Sequence, residues 1–138
     1  MTYTLPDVNF QPLMPMLFVL LGAIVSTIGA FNTKRIYVTW FNIAMLVCSG
    51  LAMTGLLGYG LWNRDLTAFS GGVRADNVAL MIGGVIVIGS IMSLLVSLDT
   101  AWRARVSFPE FDAILMYAIV GCLLIAFSGD LIVMLIGL

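Results

Sequence analysis

Charged residues in this chain come in tight groups, separated by long stretches that hold none. Val8–Thr33, Ile36–Asn63, Asn77–Leu98 and Ala113–Phe127 contain no Asp, Glu, Lys or Arg. A helix rises 1.5 Å per residue, so roughly 20 apolar residues cross about 30 Å of hydrocarbon. The first three runs reach that length, and the fourth does so if its polar ends snorkel to the interface. Their strongly apolar parts predict spans at about 13–32, 38–62, 78–98 and 111–127. A Ser128-Gly129-Asp130 break then precedes eight residues, Leu131–Leu138. At helical rise these cover only about 12 Å, so they read as the truncated stub of a fifth helix. The expected fold is all-α: a single transmembrane helical bundle over residues 1–138, with four complete spans plus that stub.

Composition agrees with a membrane chain. It is 62% hydrophobic and 9% charged, with a mean hydropathy of +1.12, whereas soluble domains are roughly 45–50% apolar and 25% charged. A formal net charge of −1 supplies neither a basic patch for nucleic acid nor a polybasic lipid-binding tail. The chain has no histidine, which removes the commonest metal ligand and general base. Cys48 and Cys122 stand in separate apolar runs without CxxC spacing, and read as small core residues. No residue is assigned a catalytic, cofactor-binding or metal-binding role.

Orientation follows from the basic residues. Lys34, Arg35, Arg103 and Arg105 fall on one side of the predicted spans, with Arg64 and Arg74 on the other, where Asp65 and Asp76 offset them. Positive loops stay cytoplasmic, which places the N-terminus outside. The segment Met1–Pro12 has no Lys or Arg ahead of the first run, the reverse of a signal peptide, so cleavage is not expected.

Small residues mark where helices could approach. Gly22, Ser26 and Ala30 recur every four residues, and Ser90, Ser93 and Ser97 form a second row. Such rows favour close packing in lipid. Gly50, Gly55, Gly58, Gly60, Gly83 and Gly84 read as packing positions, with hinges or a pathway lining as the functional alternative. No charge is expected at mid-depth in a complete span. Asp99, Glu110, Asp112 and Asp130 lie at predicted helix ends, where caps and interfacial anchors belong. Asp130 could cap the fifth helix, or serve as an intramembrane acid. Trp40, Trp62 and Trp102 lie near run ends, where aromatic belts form.

Several stretches resemble one family. Glu110-Phe111, then Ala118, Gly121, Leu124 and Ala126, then Leu131 and Gly137, resemble the fourth and fifth helices of antiporter-like subunits of respiratory complex I. GVRADNVALMIGGVIVIGS (Gly71–Ser90) is similar to that family's entry into its third helix. LPDVNFQPLMPMLFVLLGAIVSTIGAF is similar to the start of bacterial members of subunit N, also called subunit 2, of NADH-quinone oxidoreductase.

The resemblance implies the N-terminal portion of a proton-translocating subunit in the inner (plasma) membrane. Other subunits of such a complex pass electrons from NADH to a quinone. NADH, quinone, flavin and iron-sulfur centres are therefore expected in partner subunits and none in this chain. The family carries a glutamate in its fifth helix just beyond the position of Gly137-Leu138, and lysines on later helices. None of these is present here, so no proton-transfer role is inherited, and the expected role is that of scaffold. The expected partners are other membrane subunits and the lipid bilayer, with no nucleic acid. Two other readings stay open: a fragment of a monovalent cation/proton antiporter subunit, and a stand-alone structural or assembly membrane protein.

The charge pattern makes a direct prediction. In a background lacking Cys48 and Cys122, single cysteines at Thr33 and Thr67 will react with an impermeant thiol reagent from opposite faces of the membrane. Equal labelling of both from outside would refute the orientation.

Overall fold

The computed structural model describes residues 10–32, 35–60, 66–68, 71–104 and 109–138, apart from some side chains within those elements. A single 3-10 turn, Gln11–Leu13, leads into α1 (Met14–Asn32). Then follow α2 (Arg35–Gly60), a hairpin of β1 (Leu66–Ala68) and β2 (Val73–Ala75), α3 (Asn77–Ala104), α4 (Pro109–Ala126) and α5 (Leu131–Gly137). Among the described residues the fold is all-α apart from that hairpin.

Local chemistry sets several of the helix starts. Pro109 stands at the first position of α4, where its missing N–H costs nothing, and Glu110 and Asp112 follow in the first turn beside the positive end of the helix dipole. Asp76 starts α3, its carboxylate accepting from the Ala79 backbone N–H at 2.7 Å. Asp130 caps α5 in an extended conformation and accepts from Leu131 N–H at 3.1 Å, the capping role its position suggested. Caps of this kind typically contribute about 1 kcal/mol.

The four longer helices form a ring. α1 packs on α2 and α4, α3 packs on the same two, and α2 and α4 touch across the middle. Each helix turns one face inward: Met16, Val19, Ala23 and Ser26 from α1; Thr39, Asn42, Leu46, Ser49 and Met53 from α2; Leu80, Val87 and Leu94 from α3; Asp112, Met116, Ile119 and Leu123 from α4. The outward faces are just as apolar. Along α3, Val78, Met81, Val85, Ile88, Met92 and Val96 are all at least 60% exposed, far more contiguous apolar surface than a water-soluble monomer carries. Lipid is the solvent this exterior suits.

Among the described residues two stretches have both the length and the hydropathy of a membrane span, Ile36–Gly58 and Asn77–Asp99, while Met14–Gly29 is apolar but shorter. α4 covers 18 residues, with two acids in its first turn. The all-α expectation fits the five α-helices of the described residues; of the four complete spans expected, two helices are long and apolar enough to cross a membrane.

The hairpin is the element that apolar patterning did not predict. In sequence, Asn63–Asp76 is only a polar stretch between two apolar runs. β1 and β2 pair antiparallel, with Leu66 opposite Ala75, Thr67 opposite Arg74 and Ala68 opposite Val73. Gly71, at φ +95, supplies the left-handed residue before β2. The free edge of β2 then receives the turn between α4 and α5. Arg74 N–H donates to the Phe127 carbonyl at 2.9 Å, Gly129 N–H donates to the Gly72 carbonyl at 2.9 Å, and Val73 bridges Ser128. Phe127, fully buried, plugs the joint against Gly83.

Three further expectations need correcting. Cys48 and Cys122 are exposed, not core residues, because an apolar exterior gives a small apolar side chain no reason to face inward. Of the Ser90, Ser93 and Ser97 row, only Ser90 is buried, and its hydroxyl donates to its own helix at the Ile86 carbonyl (2.6 Å). Gly55, Gly58 and Gly84 have open space where a Cβ would stand, so they are not packing positions here. Gly60 and Ala30 have no described side-chain surroundings. Lys34, Arg64, Asp65, Arg105 and Trp62 lie outside the described residues, as do the side chains of Arg35, Arg103 and Trp102.

The joint predicts a steric test. A Cβ on Gly129 would drive into the Gly71 carbonyl, which is backbone and cannot swing aside. Gly129→Ala will destabilise the chain by about 2 kcal/mol, read as an earlier unfolding midpoint in detergent. Gly84→Ala, with nothing within 4 Å, will be neutral within about 0.5 kcal/mol. Equal losses for both would show that the turn is not docked on the hairpin.

Candidate functional site

Polar groups inside the bundle gather on one stripe. Thr39, Asn42 and Ser49 are completely buried and recur along one face of α2 at the i, i+3, i+10 positions of a helix. In lipid there is no hydrophobic drive holding helices together, and interhelical hydrogen bonds take part of that role. Each of the three reaches another helix.

Ser49 donates to the Pro15 carbonyl of α1 at 2.9 Å. Asn42 Nδ2 donates to the Ser26 hydroxyl of α1 at 3.2 Å. Thr39 Oγ1 donates to Asp112 Oδ2 of α4. A fourth contact lies nearer the surface, where the Thr27 hydroxyl, bonded to the Ala23 carbonyl at 2.9 Å, sits 3.4 Å from the Tyr117 hydroxyl of α4.

Asp112 is the residue that sequence reasoning placed differently. It was expected as an interfacial anchor at a helix end. It does lie in the first turn of α4, but it is fully buried and faces α2. A buried carboxylate needs partners, and the Thr39 hydroxyl is one. The signal was available: Asp112, Met116, Ile119 and Leu123 share one helical face, and Asp112 begins it. Glu110, Asp99 and Asp130 are exposed, as is Trp40.

Small residues complete the seam. A Cβ on Gly22 would stand 2.5 Å from Met116 Cε and 3.3 Å from Met45 Cβ, so glycine lets α1, α2 and α4 meet here without displacing the end of the Met116 side chain. Gly121 and Gly137 meet in the same way where α5 crosses α4, each near the other's carbonyl (2.6 and 2.9 Å from the Cβ positions). Gly22 and Ser26 thus belong to the packing row the sequence suggested.

The chemistry this arrangement supports is hydrogen bonding between helices, with one acid among the partners. Among the described residues no group of three His, Cys, Asp or Glu converges as a metal site would require.

No protein-family model matches the chain. Individual relatives do. It is 55% identical over its whole length to NADH-quinone oxidoreductase subunit N of Deinococcus radiodurans. It is 30% identical, over 98% of the chain, to the subunit N of Chloroflexus aggregans. It is 29% identical, over 96% of the chain, to NAD(P)H-quinone oxidoreductase subunit 2 of Prochlorococcus marinus (strain MIT 9301). The chain spans 26–29% of the length of these curated relatives.

The seam predicts measurable coupling. In a double-mutant cycle, Thr39→Val and Asp112→Ala will each destabilise the protein, with a coupling energy of about 1 kcal/mol, the scale of hydrogen bonds between membrane helices. Strict additivity would mean that the contact contributes nothing to the fold.

Proposed function

We propose that this homologue of NADH-quinone oxidoreductase subunit N is the N-terminal portion of a proton-translocating membrane subunit of such an oxidoreductase. The observation that carries the reading is the 55% identity to the Deinococcus radiodurans protein along the whole chain. In this reading α1–α4 cross the inner (plasma) membrane, α5 enters it, and the N-terminus lies outside. All of residues 1–138 belong to one transmembrane domain.

The physical role is that of scaffold. Subunit surfaces in a membrane complex need rigid helices with apolar exteriors, and the faces of α2 and α3 provide both. Moving protons along the membrane interior needs ionisable groups at depth. The chain has a single lysine, Lys34, and a single glutamate, Glu110, and Glu110 is exposed in the first turn of α4. In this reading the buried Asp112 is taken up by the interhelical seam through Thr39, and the charged relay lies outside these helices. NADH, flavin, iron-sulfur centres and quinone act in partner subunits, and this chain holds none of them. Its partners are neighbouring membrane subunits and lipid, not nucleic acid.

Affinity capture through a tag at Thr2, from membranes solubilised in mild detergent, tests the assignment. The captured material will oxidise NADH with a short-chain quinone and carry flavin absorbance. The isolated 138-residue chain in liposomes will show no quinone-dependent NADH oxidation, and no proton flux above empty vesicles. Capture without any NADH oxidation would favour a stand-alone membrane protein, and cation/proton exchange without it an antiporter subunit.

A further inference from the structure

Between the last turns of α1 and the first turns of α2 the outside of the bundle is hollowed. A groove of about 350 Å³ lies there, walled by Val25, Ile28 and Gly29 of α1 and by Tyr37, Val38 and Phe41 of α2. That volume falls within the roughly 300–1,000 Å³ typical of ligand sites. Helical spacing explains its shape. Val25, Ile28 and Gly29 share one face of α1, and Tyr37, Val38 and Phe41 one face of α2. One turn further in, the same faces reach Gly22 and Met45, and there the helices close together: a Cβ on Gly22 would stand 3.3 Å from Met45 Cβ. The groove stops at that contact.

Its reach matches one leaflet of a bilayer. Ala23–Asn32, the part of α1 beyond Gly22, covers about 15 Å at helical rise, and half of the hydrocarbon thickness is also about 15 Å. A neighbouring transmembrane helix would run through both leaflets, whereas an acyl chain occupies one. The walls suit an acyl chain, since the Tyr37 hydroxyl is the one polar group among their side chains.

Positive charge lies at the matching end. Lys34 precedes α2 and Arg35 is its first residue, and no Asp or Glu occurs in the sequence between Asp7 and Asp65 to offset them. Asp112, the acid that faces α2, is already bonded to Thr39. Tyr37 and Trp40, 69% and 57% exposed, are aromatic residues of the kind that settle at headgroup level. Two cations make no polybasic tail, but basic residues beside a pocket between helices suit an anionic headgroup. Arginine can hold a phosphate with two parallel hydrogen bonds.

We propose that this groove binds one anionic phospholipid. An acyl chain lies between α1 and α2 as far as the Gly22–Met45 contact, and the phosphodiester and its headgroup meet Lys34 and Arg35. The inference rests on α1 and α2 crossing a bilayer, as in the reading above, and not on assembly with an oxidoreductase.

Quenching of Trp40 fluorescence tests this in the full 138-residue chain, with Trp62→Phe and Trp102→Phe leaving it as the single tryptophan. The protein is reconstituted in phosphatidylcholine vesicles, and phosphatidylglycerol or phosphatidylcholine brominated on its acyl chains is titrated in. Attraction of one cation to an anionic membrane surface corresponds to roughly a fivefold preference. Brominated phosphatidylglycerol will therefore half-quench Trp40 at a mole fraction at least about fivefold lower than brominated phosphatidylcholine. Lys34→Gln with Arg35→Gln will remove the difference. Val25→Phe, which grows into the groove, will also remove it with both cations intact. Val47→Phe, at an exposed position of α2 outside the groove, will leave it unchanged. If Val25→Phe does not fold, Ile28→Phe fills the same space. Equal quenching by the two lipids in the parent protein overturns the inference. So does a phosphatidylglycerol preference that survives the groove-filling variant, since the cations alone then collect anionic lipid. Shielding of Trp40 from both lipids would mean that a second copy of the chain covers the groove, and overturns it as well. None of these outcomes depends on whether capture through Thr2 brings NADH oxidation with it.

Discussion

Lipid removes the force that assembles soluble helix bundles, and the polar stripe along α2 is what this chain has in its place. Leucine is as comfortable in hydrocarbon as against another leucine, so apolar faces alone do not fix which side of a helix turns inward. Thr39, Asn42 and Ser49 do fix it. Each would lose its partner if α2 rotated by half a turn, and the cost of an unmet polar group in hydrocarbon is several kcal/mol. Individual interhelical hydrogen bonds average only about 0.6 kcal/mol. Their joint effect on orientation exceeds their effect on stability, because the misrotated state is penalised three times. The Thr39–Asp112 contact has a further role: it joins α2 to α4 across the middle of the ring.

The opposite end of the bundle is organised by backbone. There the 3-10 turn, the hairpin and the α4–α5 turn come together, and β2 exchanges hydrogen bonds with Phe127 and Gly129. A helix end near hydrocarbon leaves carbonyls without intrahelical partners, and the hairpin takes one of them by accepting Phe127 O as a ladder partner. Gly71 and Gly129 are the cost of this closeness, since neither position has a substitute: one needs a left-handed backbone, the other the absence of a side chain. α5 depends on the result. It buries none of its own residues, and its placement comes from the docked turn at one end and the Gly121–Gly137 crossing at the other.

How much of this was legible in the sequence follows from what a hydrophobic pattern can encode. The charge-free runs located all five helices, since helix existence depends on length and hydropathy that the chain displays directly. Asp130 was legible as a cap because capping is local. Inside and outside were not legible, because both are apolar: Cys48 and Cys122 look the same in sequence whichever way they face. The hairpin escaped for a related reason. Three-residue strands carry too little alternation to register against a polar background, although Val73-Arg74-Ala75 does alternate buried, exposed, buried, next to a Gly-Gly turn. Asp112 was visible as a residue but not as a site. Its burial follows from the face it shares with Met116, Ile119 and Leu123 turning inward, and on a helix apolar all round the sequence marks that face only weakly.

The position of Asp112 also bears on what the bundle can do. An acid at mid-depth in hydrocarbon is expensive, and persists where an ion or proton must pass. An acid in the first turn of a helix is a different object. The first turn of a helix has backbone N–H groups without intrahelical partners, and in this chain the Thr39 hydroxyl donates to the carboxyl group as well. Those two influences make the same carboxyl group a durable hydrogen-bond acceptor in the place where it is found. The α2–α4 tie is therefore built from a residue type that elsewhere in a membrane would signal a pathway. Helix position and partner, rather than residue type, decide which role an acid takes, and by both Asp112 belongs with the seam that holds the scaffold together.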